Sequence, residues 1–164
     1  MIEEIVGIGG AMSERTDREV VSPRVGVAVV VVRDGKVLIG EGHNPEDRKL
    51  TYAVPGGHWE SGETLVACAK RETLEEAGIL IKNVELISVY EFYNEERGRS
   101  YVTIGMRAEW DSGEPSLSPT EARRGWDWYD PQAIPAQVLD NLFKPDKVLL
   151  ERHMSGVIYQ EPTI

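Results

Sequence analysis

The most sustained apolar pattern runs over residues 25–32 (VGVAVVVV), closes on Asp34-Gly35 and resumes over residues 36–39. A run that is apolar at nearly every position predicts a strand covered on both faces. Asp-Gly between two such runs predicts a two-residue hairpin turn. Residues 40–50 (GEGHNPEDRKL) then read as a polar loop able to rim a pocket, with His43 a loop residue and not a ligand. A short piece at 51–54 leads into Pro55-Gly56-Gly57, and residues 63–77 follow without Pro or Gly until Gly78. That composition predicts one helix over 63–77, stopped by a left-handed glycine. Residues 83–92 and 99–110 are rich in Val, Ile, Tyr and Phe around a polar Asn94-Glu95-Glu96-Arg97-Gly98 segment, which predicts a longer hairpin. After a Pro/Ser/Gly/Asp-rich loop at 111–119, residues 125–130 predict a short strand. Pro131, Pro135 and Pro145 punctuate helical pieces, the last over 145–154. Residues 1–22 read as a flexible N-terminal arm, its Gly7-Ile8-Gly9-Gly10 carrying no chemistry, and 23–164 as one folded domain.

The helix carries the chemistry. At about 100° per residue, Glu72, Glu75 and Glu76 share an arc that continues Leu65, Cys68 and Ala69. Val66, Ala67, Leu74 and Ala77 make the opposite arc apolar too, so the helix is expected to be covered on two sides. Three carboxylates in a buried stripe repel one another unless a cation neutralises them, and oxygen-only ligands favour a hard divalent ion such as Mg²⁺. The competing reading is a solvated acidic face with Arg71 paired to Glu75 at i,i+4. The apolar continuation and the glycine-rich loop ahead of the helix favour the metal. Glu63, two and a half turns from Glu72, falls on the far side and reads as a structural residue tied to Arg71 or to the loop.

Composition narrows the setting. A chain of 164 residues, 41% hydrophobic and 28% charged, suits one globular domain. Its net charge of −10 disfavours DNA or RNA as a partner and leaves a small anion that meets local cations. No apolar run approaches the ~20 residues of a membrane span, and no leader pattern opens the chain. The single Cys68 cannot form an internal disulfide and reads as a buried structural thiol, so a cytoplasmic location is expected.

The stretch from Gly57 to Ile79 resembles the signature box of the Nudix hydrolases. Gly57, Glu63, Arg71, Glu72, Glu75, Glu76, Gly78 and Ile79 match at the required spacing, and Thr73 stands where the pattern has an apolar residue. The resemblance implies an α/β/α sandwich around a central mixed sheet, with 57–79 as the catalytic loop and helix. It implies Glu72, Glu76 and the Gly57 carbonyl as Mg²⁺ ligands, with Mn²⁺ as a substitute, and Arg71 as the residue that orients the acids. Glu75 then serves a second ion or deprotonates water, Glu121 is a base candidate from outside the box, and Glu63 and Gly78 are structural. The reaction implied is hydrolysis of a nucleoside diphosphate linked to a group X, by water attack on phosphorus.

Beyond the box, KNVELISV at 82–89, YVTI at 101–104, WDW at 126–128 and LDNLF at 139–143 resemble the MutT-like branch, which cleaves nucleoside triphosphates, normal or oxidised, to monophosphate and pyrophosphate. Carried over from that branch, Leu142, Phe143 and Lys144 face the base with Val54 opposite. His58, directly after Gly57, reads as a phosphate contact and Trp59 as a residue packed under the loop. The ADP-ribose branch has a Pro, and the dinucleoside-polyphosphate branch a Tyr, about sixteen residues past the box. Here that region reads Glu95-Glu96-Arg97. Pyrophosphatase action on ADP-ribose, a nucleotide sugar or another conjugate is the alternative. A nucleotide-sensing module without turnover is the alternative of another class, disfavoured because every box acid is kept. A homodimer is common in the family.

Overall fold

The computed structural model describes residues 22–44, 47–117 and 123–156. The apolar run forms β1 (Arg24–Arg33), which turns through Asp34 and Gly35 into β2 (Lys36–His43). Both turn residues have positive φ, 51° and 76°, as a hairpin turn of this hand requires. Along β1 the side chains alternate between two cores, Val27, Val29 and Val31 on one face, Ala28 and Val30 on the other. The strand is covered on both sides, as its sequence predicts.

Next come β3 (Leu50–Ala53), β4 (Gly56–His58), α1 (Leu65–Ala77), β5 (Leu80–Asn94), β6 (Arg99–Ser112) and β7 (Arg123–Tyr129). The chain then forms α2 (Ala136–Asp140) and α3 (Lys144–Ser155). Among the described residues the seven strands form one sheet in the order β3-β2-β1-β6-β5, with β4 on β1 and β7 on β2. The β1–β6 pair is parallel and the others antiparallel, so the sheet is mixed. On one face α1 packs Cys68, Ala69 and Ala77 against Val27, Val29 and Val31. On the other, α3 packs Leu149 and Leu150 against Ala28 and Val30. This is the expected α/β/α sandwich.

What positions the site is a split in the sheet. β1 and β2 pair only at their hairpin end, Val32↔Val37 and Arg33↔Lys36. Beyond it β1 takes β4 as partner, while β2 takes β3 and β7. The strands part there, and a cleft opens between them.

Several expectations change. The stretch at 40–50 is a loop only in its middle, because β2 runs to His43 and β3 starts at Leu50. Backbone pairing with β3 and β7 holds those polar residues in a strand whatever their side chains. The helix begins two residues later than composition suggests, because the Thr64 hydroxyl accepts from the Ala67 amide at 3.1 Å and caps it. Gly78 ends the helix at φ 71°, as expected. The second face of α1 is not covered, since Val66 is 39% and Leu74 47% exposed. The helix thus packs on the sheet through one stripe only. The arm expected at 1–22 lies, but for Ser22, outside the described residues. No helix among the described residues is long and apolar enough to cross a membrane.

Candidate active site

The loop before α1 is tied to the helix by Arg71. Its guanidinium donates to Glu63 through Nη2 (2.7 Å) and Nε (3.1 Å), to Glu72 Oε1 (2.8 Å) and Glu75 Oε2 (3.2 Å) through Nη1, and to the His58 carbonyl (3.1 Å). A planar fork with donors in fixed directions is the group that can hold three carboxylates and a carbonyl at once. The Arg71 fork and the Glu60 amide hold the Glu63 carboxyl down to about 2. Glu63 is joined both to Arg71 and, through the Glu60 amide, to the loop. The i,i+4 pair with Glu75 also exists, as one contact among several.

The three acids differ in setting. Glu76 is buried, and its Oε2 accepts from the Gly56 amide at 3.0 Å. Glu72 is nearly covered, at 13% side-chain exposure, whereas Glu75 is 57% exposed. The buried stripe therefore holds two of the three, and Glu75 projects from its edge to water. Glu72 lies directly against Gly57, where an added Cβ would overlap its carboxylate. Glycine at 57 leaves the room that brings carboxylate and backbone side by side.

Among the described residues no three carboxylate, imidazole or thiol side chains converge on one point. Arg71 draws Glu72 and Glu75 to itself, and Gly56 draws Glu76. A hard divalent ion fits the donors available, because Glu72 and Glu76 lie one helical turn apart and the Gly57 backbone adjoins Glu72.

The cleft beside this centre has a volume of about 760 Å³ and is reached from Gly56, Gly57 and His58. One wall is built by backbone. The Tyr52 amide donates to the Asn141 carbonyl (2.9 Å) and the Phe143 amide to the Tyr52 carbonyl (2.8 Å), so residues 141–143 lie along β3. Val54, Leu142, Phe143 and Lys144 all line the cleft, Val54 and Leu142 buried, Phe143 and Lys144 exposed at its rim. His58 also lines it and is exposed. Trp59, expected to pack under the loop, is 45% exposed and instead donates from Nε1 to the Glu63 carbonyl (2.9 Å). Glu121 lies outside the described residues.

Sequence reasoning missed Asp146. Its carboxylate is buried in the cleft wall and accepts from the Val54 amide at 3.0 Å. Desolvation pushes its pKa up to about 7 against the opposing effects of that amide and of Arg123. In sequence it is an acid after a proline in the first turn of a helix, which reads as an ordinary helix start. Arg123, also missed, stands 3.9 Å from Glu76 Oε1 and lines the same cleft. Cys68 is buried, and burial pushes its thiol up to about 12, so it is an inert core residue.

The sequence profile of the NUDIX domain matches residues 22–152. The NAD-capped RNA hydrolase NudC of Escherichia coli is 31% identical over 120 residues, 72% of this chain and 44% of that protein. NudC of Chromobacterium violaceum is 32% identical over 119 residues, 71% of this chain and 42% of the relative. The chain thus spans less than half the length of these relatives. Among solved structures, a MutT NUDIX hydrolase from Burkholderia pseudomallei is 26% identical with a TM-score of 0.68, covering 80% of this chain and 98% of its own. A NUDIX hydrolase from Nitrosomonas europaea is similar in fold, with a TM-score of 0.73 at 24% identity over 84% of this chain and 93% of that one.

Proposed function

The chain belongs to the Nudix family, and on that premise we propose that it hydrolyses nucleoside triphosphates to monophosphate and pyrophosphate with Mg²⁺. The observation that carries the reading is the Glu72 carboxylate seated against Gly57 at one side of a largely apolar cleft. Glu72, Glu76 and the Gly57 carbonyl are the groups that would hold the ion, which supplies charge neutralisation and a more acidic water. Arg71 fixes the Glu72 carboxylate and, through the His58 carbonyl, the loop that carries Gly57. Glu75 is the acid that solvent reaches, and it takes the proton of the attacking water. Glu121 is a second base candidate. The water oxygen joins phosphorus as the anhydride P–O bond breaks, monophosphate and pyrophosphate leave, and the proton passes to solvent.

Tyr52, Val54, Leu142 and Phe143 offer the apolar walls a base needs, and Lys144 stands at the mouth. Asp146, poised near neutrality, can both donate to and accept from a base edge. Cleavage of a larger diphosphate conjugate is the second reading, favoured by the similarity to NudC.

Turnover against a panel of dNTPs, NTPs, oxidised dGTP, ADP-ribose and a dinucleotide, with products resolved, tests the choice. Monophosphate plus pyrophosphate from a triphosphate supports the proposal. Cleavage confined to diphosphate conjugates overturns it in favour of the second reading. Glu72→Gln is expected to abolish turnover with the fold retained, and unchanged activity overturns the metal-site assignment.

A further inference from the structure

A second hollow of about 360 Å³ adjoins the cleft and is lined by Arg24, His58, Arg97, Arg99 and Tyr101. Arg24, His58, Arg97 and Tyr101 line the main cleft as well, so the two spaces share these walls. The sheet brings these residues together from distant parts of the chain. Parallel pairing sets Arg24 beside Tyr101, and antiparallel pairing sets Gly26 opposite His58. Arg99 precedes Tyr101 by two residues on β6 and so shares its face. Arg97 comes from the turn between β5 and β6, where its amide donates to Asn94 Oδ1 at 2.9 Å. Tyr101 is held by stacking on Phe92, with centroids 5.1 Å apart and planes 11° from parallel.

In a protein of net charge −10, these five lining residues include three arginines and no carboxylate. Glu95 and Glu96 share the turn with Arg97 but do not line the hollow. Guanidinium groups stay charged at any physiological pH and bind phosphate oxygens through paired donors. His58, the residue after Gly57, lines the hollow, whereas Leu142 and Asp146 line the main cleft alone.

We propose that this arginine hollow is the leaving-group subsite, which takes the terminal phosphates of the substrate as pyrophosphate. The proposal rests on the triphosphate reading and deepens it. A base held at Tyr52 and Leu142 places the scissile phosphate at Gly57 and the remaining two phosphates past His58. Three arginines in one hollow then match a group more anionic than a single phosphate ester, and select for chain length.

The test is calorimetric binding of inorganic pyrophosphate with Mg²⁺ present, for the wild type, Arg24→Gln/Arg99→Gln and the control Lys36→Gln, a change in the distant hairpin. The double variant is expected to bind pyrophosphate at least about ten-fold more weakly, with the control unchanged. Its KM for a triphosphate should rise more than its KM for a diphosphate conjugate. If the double variant does not fold, Arg24→Gln alone, at an exposed strand start, carries the same test with a smaller loss. A wild type that cleaves triphosphates while the variant keeps wild-type pyrophosphate affinity overturns the subsite alone. A wild type that cleaves only diphosphate conjugates overturns the triphosphate reading, and with it the assignment of the hollow to pyrophosphate.

Discussion

Gly57→Ala isolates the contact on which the site depends. Position 57 has no left-handed backbone, so alanine can adopt its conformation. The added methyl, however, would overlap the Glu72 carboxylate, whereas ordinary contact begins near 3.4 Å. The carboxylate must retreat by about 1 Å, and a displacement of that size in a positioned group costs roughly 10²-fold in rate, about 3 kcal/mol of transition-state stabilisation. The stability cost is much smaller, about 1 kcal/mol, since only one side chain has to leave its rotamer. The assay is pyrophosphate release as a function of Mg²⁺ concentration, alongside thermal melting by circular dichroism. Turnover should fall by about two orders of magnitude, with a higher Mg²⁺ requirement and a melting point within a few degrees of wild type. Gly125→Ala is the control, because a methyl there meets nothing within 4 Å. A Gly57→Ala enzyme with wild-type turnover and wild-type Mg²⁺ dependence would refute the reasoning.

Three further outcomes are expected. Asp146→Asn should change the pH dependence of stability. A carboxyl raised to about 7 holds a proton in the folded state that the unfolded chain has lost above about 4, so its contribution fades as pH rises between those values and is then flat. The difference in unfolding free energy between variant and wild type should therefore grow in favour of Asn by on the order of 4 kcal/mol from pH 4 to pH 8. A pH-independent difference in urea titrations would reject the buried-acid assignment. Arg71→Lys keeps the charge but loses the fork that reaches Glu63, Glu72 and the His58 carbonyl. It should destabilise by about 1–3 kcal/mol and lower turnover, and wild-type values for both would show that the fork does not hold the loop. Thr73→Val should leave stability within about 1 kcal/mol, because among the described residues the fully buried Thr73 hydroxyl bonds only the Ala69 carbonyl of the preceding turn, and valine keeps its shape. A loss above about 2 kcal/mol would show that the hydroxyl matters to packing beyond that bond.

Sequence pattern read well wherever the interaction was local. The Asp34-Gly35 turn needs two positive φ values, and few residue pairs supply them. The stop at Gly78 and the i,i+4 placement of Glu72 and Glu76 follow from helix geometry alone. The double coverage of β1 follows from its unbroken apolar run. Local pattern misled where coverage depended on something far away in the chain. Val66 and Leu74 look like a second buried arc, yet no described element packs on them. Residues 40–43 look like loop, yet two strands pair with them. Glu75 looks equivalent to its neighbours, yet it lies past the edge of the packed stripe.

The box, its helix and its row of acids can be read along the chain, because those residues lie within one loop and one helix whose period is known. Where the cleft lies is legible only in the fold, since it depends on β1 and β2 separating after two residue pairs. The same is true of Asp146, which bonds Val54 across 92 positions of sequence. It is also true of the Arg24, Arg97 and Arg99 hollow, assembled by pairing β1 with β6 and by the turn that leads into β6. A side chain's chemistry is written at its own position, but burial, and with it charge state and partner, is set by whichever distant segment folds against it.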